Sequence, residues 1–232
     1  MSTLNTTTTM FPEQEQEAPL YLEQQNITNF HRNRAGLFNA SELAVLMQKG
    51  KTSEFSVAGE TYLQRLAYEG VVGYQVPDNS HKSAATYWGS FYEKEAISTM
   101  FGVEKNEMTF FKPDLNLAAT PDGVFDNETY EVKCPYTVAK VVEYFSIVDT
   151  KGLKEASKEY YWQVIAQMVA ADATCGHIGF YCPRLTKALG RLKFNAIVLD
   201  TSEPYVHYDA ELLKIRLEAA FAVLKALRSK II

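Results

Sequence analysis

The chain has 232 residues, 47% of them apolar, which is enough for a sizeable core and suits one large domain or two small ones. Its formal net charge of −5 argues against a protein that coats nucleic acid non-specifically, but not against an enzyme whose positive charge is confined to a channel. No apolar run is long enough to span a membrane, and the first residues lack the basic and apolar segments of a signal peptide, so we expect none. Three cysteines without paired spacing indicate reduced thiols, so we expect a cytoplasmic protein.

Residues 1–19 are rich in Thr, Gln and Glu and predict a flexible tail, followed by a single domain over 20–232. The first predicted helix has Asn39 as its N-cap and Glu42 as its capping-box partner. Ser41 then lies in a first helical turn, where unpaired backbone N–H groups favour an anion. Basic residues flank this turn: Arg34, Lys49 and Lys51. The segment is therefore either a phosphate pocket or a capped helix with solvated basic neighbours.

Two further helices are predicted over residues 55–69 and 85–101, with a loop over 70–83 between them. Glu93 lies near the middle of the apolar stripe of the second of these helices. A carboxylate on an apolar face needs a partner. Glu93 is therefore either half of a structural ion pair or an acidic residue directed at a functional site.

After a short strand over 108–112, a β-hairpin is predicted with Asp122 at its mouth, turn residues at 126–127 and a second strand over 130–134. Side chains alternate between the faces of a strand with a period of two, so Glu131 and Lys133 share one face. Asp122 comes from the adjacent strand and can share that face. The alternative is an exposed hairpin with an ordinary Glu–Lys pair.

This combination of side chains is typical of phosphodiester hydrolysis. Two carboxylates on one face need a positive charge between them, and hard oxygen ligands suit Mg²⁺ or Mn²⁺. A lysine beside the metal can hold or deprotonate a water, or stabilise charge on a phosphate. Two metal ions about 4 Å apart would stabilise both the attacking and the leaving oxygen.

The remaining elements alternate between helices and strands and predict a central mixed sheet with helices on both sides. Helices are expected over 137–148, 154–173 and 211–227, and strands over 177–182 and 192–199. Tyr160, Gln163 and Gln167 follow one side of the long helix, where they could bind a phosphate or a water, or form its polar flank. Arg184 lies in a link over 183–191, which is predicted as a DNA-contacting loop or a solvated turn.

Together these residues resemble the PD-(D/E)xK nuclease superfamily and, within it, the phage lambda exonuclease (YqaJ-like viral recombinase) family. The core motif appears as Pro121-Asp122-Gly123 followed by Glu131-Val132-Lys133. Its upstream helix resembles 89–96, its glutamine helix 160–168, and its phosphate pocket 31–42. The resemblance covers about residues 30 to 200 and implies a restriction-endonuclease-like core.

The resemblance also implies an activity and roles for single residues. The activity is an ATP-independent 5′→3′ exonuclease that acts on double-stranded DNA ends with two Mg²⁺ ions, for which Mn²⁺ can substitute. The ligands would be Asp122, Glu131, the Val132 carbonyl and Glu93, while Lys133 would orient or activate the water and Gln163 would assist the water or the scissile phosphate. The terminal 5′-phosphate would contact Arg34, Ser41 and Thr120, with Lys49 or Lys51 helping.

Family members are homotrimeric rings, so the resemblance implies a phage or prophage protein in a bacterial cytoplasm whose partner is a single-strand annealing protein. Two other functions stay open. An endonuclease with the same core would cut closed circular DNA, and a DNA-binding or assembly protein would carry a decayed site. Decay usually removes a carboxylate or the lysine, and all are present here. An iron–sulfur cluster would need four cysteines, one more than the chain has.

Overall fold

The computed structural model describes residues 32–76 and 83–232, so the tail predicted over 1–19 lies outside the described residues. The described part contains seven α-helices, seven strands and two short 3₁₀-helices. The mixed α/β class is therefore confirmed, although the strands divide over two mixed sheets rather than one. None of the helices within those two ranges combines the length and the apolar character that crossing a membrane requires.

The first sheet has three strands in the order β1-β3-β2. These are β1 Phe38–Asn39, β2 Phe110–Lys112 and β3 Leu117–Ala119, with β1 parallel and β2 antiparallel to β3. The prediction of a helix capped by Asn39 is wrong, because the backbone N–H groups of Phe38 and Ala40 donate to carbonyls beside and within β3 and keep the segment extended. Only a short 3₁₀-helix, Leu43–Met47, follows it.

The second sheet contains the predicted hairpin and has the strand order β4-β5-β6-β7. Its strands are β4 Gly123–Phe125, β5 Glu128–Lys133, β6 Cys175–Tyr181 and β7 Phe194–Asp200. Strand β5 is parallel to β6, and the other two pairs are antiparallel. Asp126 and Asn127 have φ values of 47° and 61°. A two-residue hairpin turn of this hand requires both values to be positive, so the predicted turn chemistry is confirmed.

The helices differ from the predictions mainly at their ends. They are α1 Val57–Val72, α2 Ala84–Phe101, α3 Val138–Phe145, α4 Thr150–Ala156, α5 Lys158–Ala171, α6 Pro183–Leu189 and α7 Pro204–Ile231. The single helix predicted over 154–173 is wrong, because Ser157 is extended and its side chain caps α5 by accepting from the Tyr160 N–H. The link over 183–191 contains α6 rather than only a loop, with Pro183 in the first turn where its missing N–H costs nothing.

The core is built around α5, which is buried over residues 161–170 and contacts strands of both sheets as well as α7. Its predicted apolar stripe is confirmed, since Tyr161, Val164, Ile165 and Met168 are all buried. A smaller cluster joins Ala96 and Ile97 of α2 to Tyr130 and Val132 of β5. Strand β5 is therefore packed between α2 on one face and α5 on the other, which leaves Thr129 and Glu131 in its middle little access to water.

Candidate active site

Strand β5 presents Glu131 and Lys133 to the α5 side of the sheet. Glu131 is only 3% exposed, which excludes the exposed hairpin. Its two carboxylate oxygens accept hydrogen bonds from Gln163 Nε2 at 2.7 Å and Gln167 Nε2 at 2.6 Å, and Lys133 Nζ donates to Oε1. These donors give a buried carboxylate the partners it needs, and they hold it in one orientation.

Asp122 lies immediately before β4 and is tied to β5 across the hairpin. Its Oδ2 accepts from the backbone N–H of Val132 at 2.8 Å. Burial, with repulsion from the carboxylates of Glu131 and Glu93, raises the pKa of Asp122 to about 9. The centre therefore carries more negative charge than its own lysines neutralise, and Asp122 holds a proton at neutral pH when no other cation is present.

Helix α2 supplies Glu93, as expected for an acidic residue directed at this site. Its carboxylate makes a hydrogen bond with Asp122 and an ion pair with Lys105 Nζ, in which Nζ and Oε1 are 2.9 Å apart. Burial alone would raise the pKa of Glu93, but the hydrogen bonds with Asp122 and Lys105 and the charge of Lys105 lower it. Both alternatives for Glu93 are thus present at once, because it forms an ion pair within the acidic centre.

These side chains line one cavity of about 390 Å³. Of the predicted residues, the structure brings together Glu93, Asp122, Glu131, Val132 and Lys133 in its wall. Tyr160 also lines it, and Lys133 Nζ lies 4.9 Å from the centre of the Tyr160 ring. Gln163 is buried behind Glu131 and is not among the lining residues.

The residues of this cavity fit a divalent metal ion. Three carboxylates and a backbone carbonyl are the hard oxygen ligands that Mg²⁺ and Mn²⁺ take. Among residues 32–76 and 83–232, no three His, Cys, Asp or Glu side chains are already arranged to hold a metal. Ammonium groups contact two of the three carboxylates, Lys133 on Glu131 and Lys105 on Glu93. Burial and the repulsion from Glu131 and Glu93 that raise the pKa of Asp122 would both be offset by further positive charge in the cavity.

Ser41 and Thr120, two members of the predicted phosphate pocket, lie at one end of the three-stranded sheet. Strands β1 and β3 are parallel, with Asn39 opposite Ala118, so the residues that follow them leave the sheet side by side. The Thr120 hydroxyl is 2.9 Å from the Thr109 hydroxyl. Because Thr120 is separated from Asp122 only by a proline, this end of the sheet adjoins the acidic cavity.

Arg34 is held beside the same segment, but the two predicted lysines are not. The Arg34 Nε donates to Asn39 Oδ1 at 2.8 Å, and burial lowers the pKa of Arg34. Lys49 and Lys51 are exposed in the loop after the 3₁₀-helix. No contact in the described part of the chain joins these lysines to the rest of the pocket. They were predicted to belong to it only because they are close to Ser41 in the sequence.

Two functional candidates, Arg65 and Lys105, were missed by sequence reasoning, while Arg184 was predicted to lie in a DNA-contacting loop or a solvated turn. Arg65 of α1 ion-pairs with Glu42, one residue after Ser41, at 2.7 Å. Lys105 follows α2 in a segment without periodicity, so no pattern marks it. Arg184 is exposed, but it lies on α6 rather than in a turn, where its guanidinium carbon is 4.1 Å from the centre of the Trp88 ring and its Nη1 donates to the carbonyl of Tyr136 at 3.0 Å. Arg184 therefore supports the rim of the cavity, which Tyr136 lines.

The sequence profile of the YqaJ-like viral recombinase domain matches residues 29–174, more than half of the chain. The chain belongs to this family. All predicted site residues, from Arg34 to Gln163, lie within the matched part. No curated protein sequence matches this YqaJ-like chain.

Solved structures share the fold of this YqaJ-like protein. LHK-Exo in complex with dAMP has a TM-score of 0.65 at 21% identity, over 88% of this chain and 95% of that chain. The LHK-Exo alkaline exonuclease from Laribacter hongkongensis has a TM-score of 0.58 at 22% identity, over 88% of this chain and 99% of that chain. A phage-related exonuclease from Haemophilus somnus has a TM-score of 0.63 at 16% identity, over 84% of this chain and 96% of that chain. At such identities these likenesses show the fold alone.

Proposed function

We propose that this YqaJ-like protein is a metal-dependent exonuclease that degrades one strand of double-stranded DNA in the 5′→3′ direction, in phage-type recombination. The observation that carries the proposal is the convergence of Glu93, Asp122, Glu131 and Lys133 on one cavity. The likeness of the fold to an alkaline exonuclease and a phage-related exonuclease supports it. The family to which the chain belongs supports the role in recombination.

In this proposal Asp122, Glu131 and the Val132 carbonyl would bind Mg²⁺, or Mn²⁺ in its place. The site would hold two ions, and Glu93 would lie near them. Bound metal would act as a Lewis acid on the phosphate and make a water nucleophilic. Lys133 would orient that water or activate it, since its ammonium already lies in the cavity wall. Gln163 and Gln167 fix the Glu131 carboxylate. Direct assistance by Gln163 to the water would require its amide to leave Glu131.

The terminal 5′-phosphate would bind beside the acidic cavity, at the end of the three-stranded sheet. Arg34, Ser41 and Thr120 would contact it, and Lys49 or Lys51 would help only if their exposed loop moves toward it. The remaining parts of the proposal rest on the family resemblance. They are a homotrimeric ring, a single-strand annealing partner, and action in the cytoplasm of a bacterial host.

The experiment that tests the activity is digestion of linear and closed circular duplex DNA with Mg²⁺, one strand carrying a 5′ label. Early release of the label from linear DNA, with circles intact and EDTA inhibitory, is the expected result. Cutting of circles would instead assign an endonuclease. No cutting of either substrate with Mg²⁺ or Mn²⁺ would overturn the enzymatic function and leave a DNA-binding protein.

The Arg34→Ala variant tests the end-binding part of the proposal. We expect its activity to fall about tenfold or more on 5′-phosphorylated ends and much less on 5′-hydroxyl ends, because a charge-assisted hydrogen bond to the phosphate is lost. The measurement is the ratio of digestion rates on the two substrates. Lys214→Ala removes an exposed cation on α7, away from the proposed pocket, and is the control. Equal losses on both ends would remove Arg34 from the pocket.

A further inference from the structure

The acidic centre contains a second lysine that the proposed chemistry does not use. Lys105 Nζ is 2.9 Å from Glu93 Oε1, and the side chains are 34% and 25% exposed. The charges of Glu93, Asp122 and Glu107 raise the pKa of Lys105 against the effect of its burial. Each outer carboxylate of the centre therefore has its own ammonium group, Lys133 on Glu131 and Lys105 on Glu93, with Asp122 between them.

The loop that carries Lys105 is fixed to the segment containing Asp122. On one side, Val103 is 8% exposed and packs in the cluster between α2 and β5. On the other side, the Asn106 backbone N–H donates to the Asp122 carbonyl at 2.7 Å, and its side-chain amide donates to the Pro121 carbonyl at 3.0 Å. Anchors on both sides of Lys105 hold its backbone beside the acidic centre.

We propose that Lys105 takes the place of a second metal ion at Glu93, so that the two metal positions of the centre differ in affinity. This inference rests on the metal centre of the proposed function. An ion held by Asp122 and Glu131 competes with Lys133 for Glu131 but leaves the Lys105–Glu93 pair intact. An ion that uses Glu93 must displace the ammonium group first. Lys105 is thus a positioning residue that keeps the Glu93 carboxylate in place until the second ion arrives.

Calorimetric titration with Mn²⁺, without DNA, tests the inference. We expect one tighter and one weaker binding event in the wild-type protein. In Lys105→Met the weaker event should tighten about tenfold, because a unit positive charge beside a divalent site has been removed, while the tighter event changes much less. Lys105→Arg keeps the charge and should behave like the wild type. Lys214→Met, which breaks an exposed pair with Glu211 on α7, controls for net charge.

A double variant shows whether Lys105 acts through Glu93. In a Glu93→Gln background the second ion has lost its carboxylate, so adding Lys105→Met should change no affinity. Lys105→Met could instead tighten both binding events equally, or shift the weaker event by the same amount with and without Glu93. Either result would mean that Lys105 acts only through its long-range charge, and the inference would be overturned. An unchanged weaker event, or a single event in both the wild type and Lys105→Met, overturns it as well.

Failure of this inference can be told apart from failure of the proposed function. A wild-type protein that digests linear DNA while Lys105→Met leaves its Mn²⁺ affinities unchanged refutes the role of Lys105 alone. A protein that binds two ions unequally but digests no DNA refutes the nuclease and leaves the role of Lys105 standing. A wild type that binds no Mn²⁺ in the titration refutes both the metal centre and the role of Lys105.

Discussion

Among single residues, Glu131 is the most tightly held group of the centre. A carboxylate that is 3% exposed is stable only with strong donors, and two glutamine amides and one ammonium supply them. The amides come from α5 and the ammonium from Lys133 on the same strand. The position of this carboxylate is therefore set before any metal or substrate enters, which is the preorganisation that electrostatic catalysis requires.

Lys133→Ala should reduce hydrolysis by about 10³-fold while DNA binding is kept, because the carboxylates remain and only the group that handles the water is lost. Single-turnover cleavage, and equilibrium binding with Ca²⁺ in place of Mg²⁺, would measure the two properties. The fold should survive, since Glu131 keeps its bonds to Gln163 and Gln167. Lys214→Ala is the control. Turnover like that of the wild type would refute the role of Lys133.

Asp122→Asn should stabilise the metal-free protein, and more at pH 9 than at pH 5. The pKa of Asp122 is about 9 in the folded protein against an ordinary value of 3.8. Between these values the folded state binds a proton that the unfolded chain has released, so stability falls as the pH rises. Asparagine is neutral and avoids this loss. We expect Tm in EDTA to rise by at least about 2–4 °C at pH 9, which corresponds to a gain of roughly 1 kcal/mol or more.

Asp126→Asn in the exposed hairpin turn provides the control for Asp122→Asn, and its Tm difference should not change with pH. Addition of Mg²⁺ should raise the Tm of the wild type more than that of Asp122→Asn, since ligands that bind the folded state stabilise it. A lower Tm for Asp122→Asn at both pH values would show that this carboxyl is charged in the metal-free fold.

At the scale of elements, the site depends on two pieces that meet across the sheet. Strand β5 carries Glu131 and Lys133, and α5 carries the glutamines that bind Glu131. The register of α5 against the sheet therefore decides whether the amides reach the carboxylate. That register is set at Ser157, where an extended residue separates α4 from α5. The serine hydroxyl accepts a hydrogen bond from the Tyr160 N–H and so fixes the first turn of α5.

Ser157→Ala should lower the stability by about 1 kcal/mol, which is about 2–4 °C in Tm for a chain of this size, because the first turn of α5 loses its cap. Thermal unfolding followed by circular dichroism measures the change. Ser229→Ala removes an exposed hydroxyl inside α7 and should have almost no effect. A Tm like that of the wild type would show that tertiary packing alone maintains the break before α5.

At the scale of the whole molecule, α7 holds the N-terminal part of the described chain against the rest. Arg216 is 7% exposed, and its Nε and Nη2 donate to the Leu46 carbonyl at 2.9 and 2.6 Å, while Nη2 also donates to the Glu54 carbonyl at 3.1 Å. Nearer the C-terminus, Arg228 Nη2 donates to the Gly36 carbonyl at 2.6 Å. These bonds fix both sides of the segment proposed to bind the 5′-phosphate.

Arg216→Met should destabilise the protein by about 3 kcal/mol, since buried carbonyls lose their donor, and Tm should fall by about 6–12 °C. Urea and thermal unfolding should agree on the loss. Arg191→Met, at an exposed position, is the matched control and should leave Tm within about 1 °C of the wild type. A loss no larger than that of the control would mean that water satisfies these carbonyls.

Features that depend on residues close together in the chain could be predicted from the amino-acid sequence. The hairpin turn at Asp126 and Asn127 and the shared face of Glu131 and Lys133 follow from local backbone preferences and from the period of a strand, so both could be predicted. The stripe of α5 and the placement of Glu93 on the inner side of α2 were predictable for the same reason, since helical periodicity alone selects them.

Features that depend on residues far apart in the chain could be seen only in the folded protein. Asn39 has the local signals of a helix cap, yet pairing with β3 keeps it extended, because ladder hydrogen bonds outweigh a weak local preference. The partition of the strands between two sheets depends on the same pairing. Gln163 reaches Glu131, and Lys105 reaches Glu93, only through packing between elements far apart in the chain. Periodicity carries no information on such contacts, so the charge balance of the acidic centre could be read only from the folded protein.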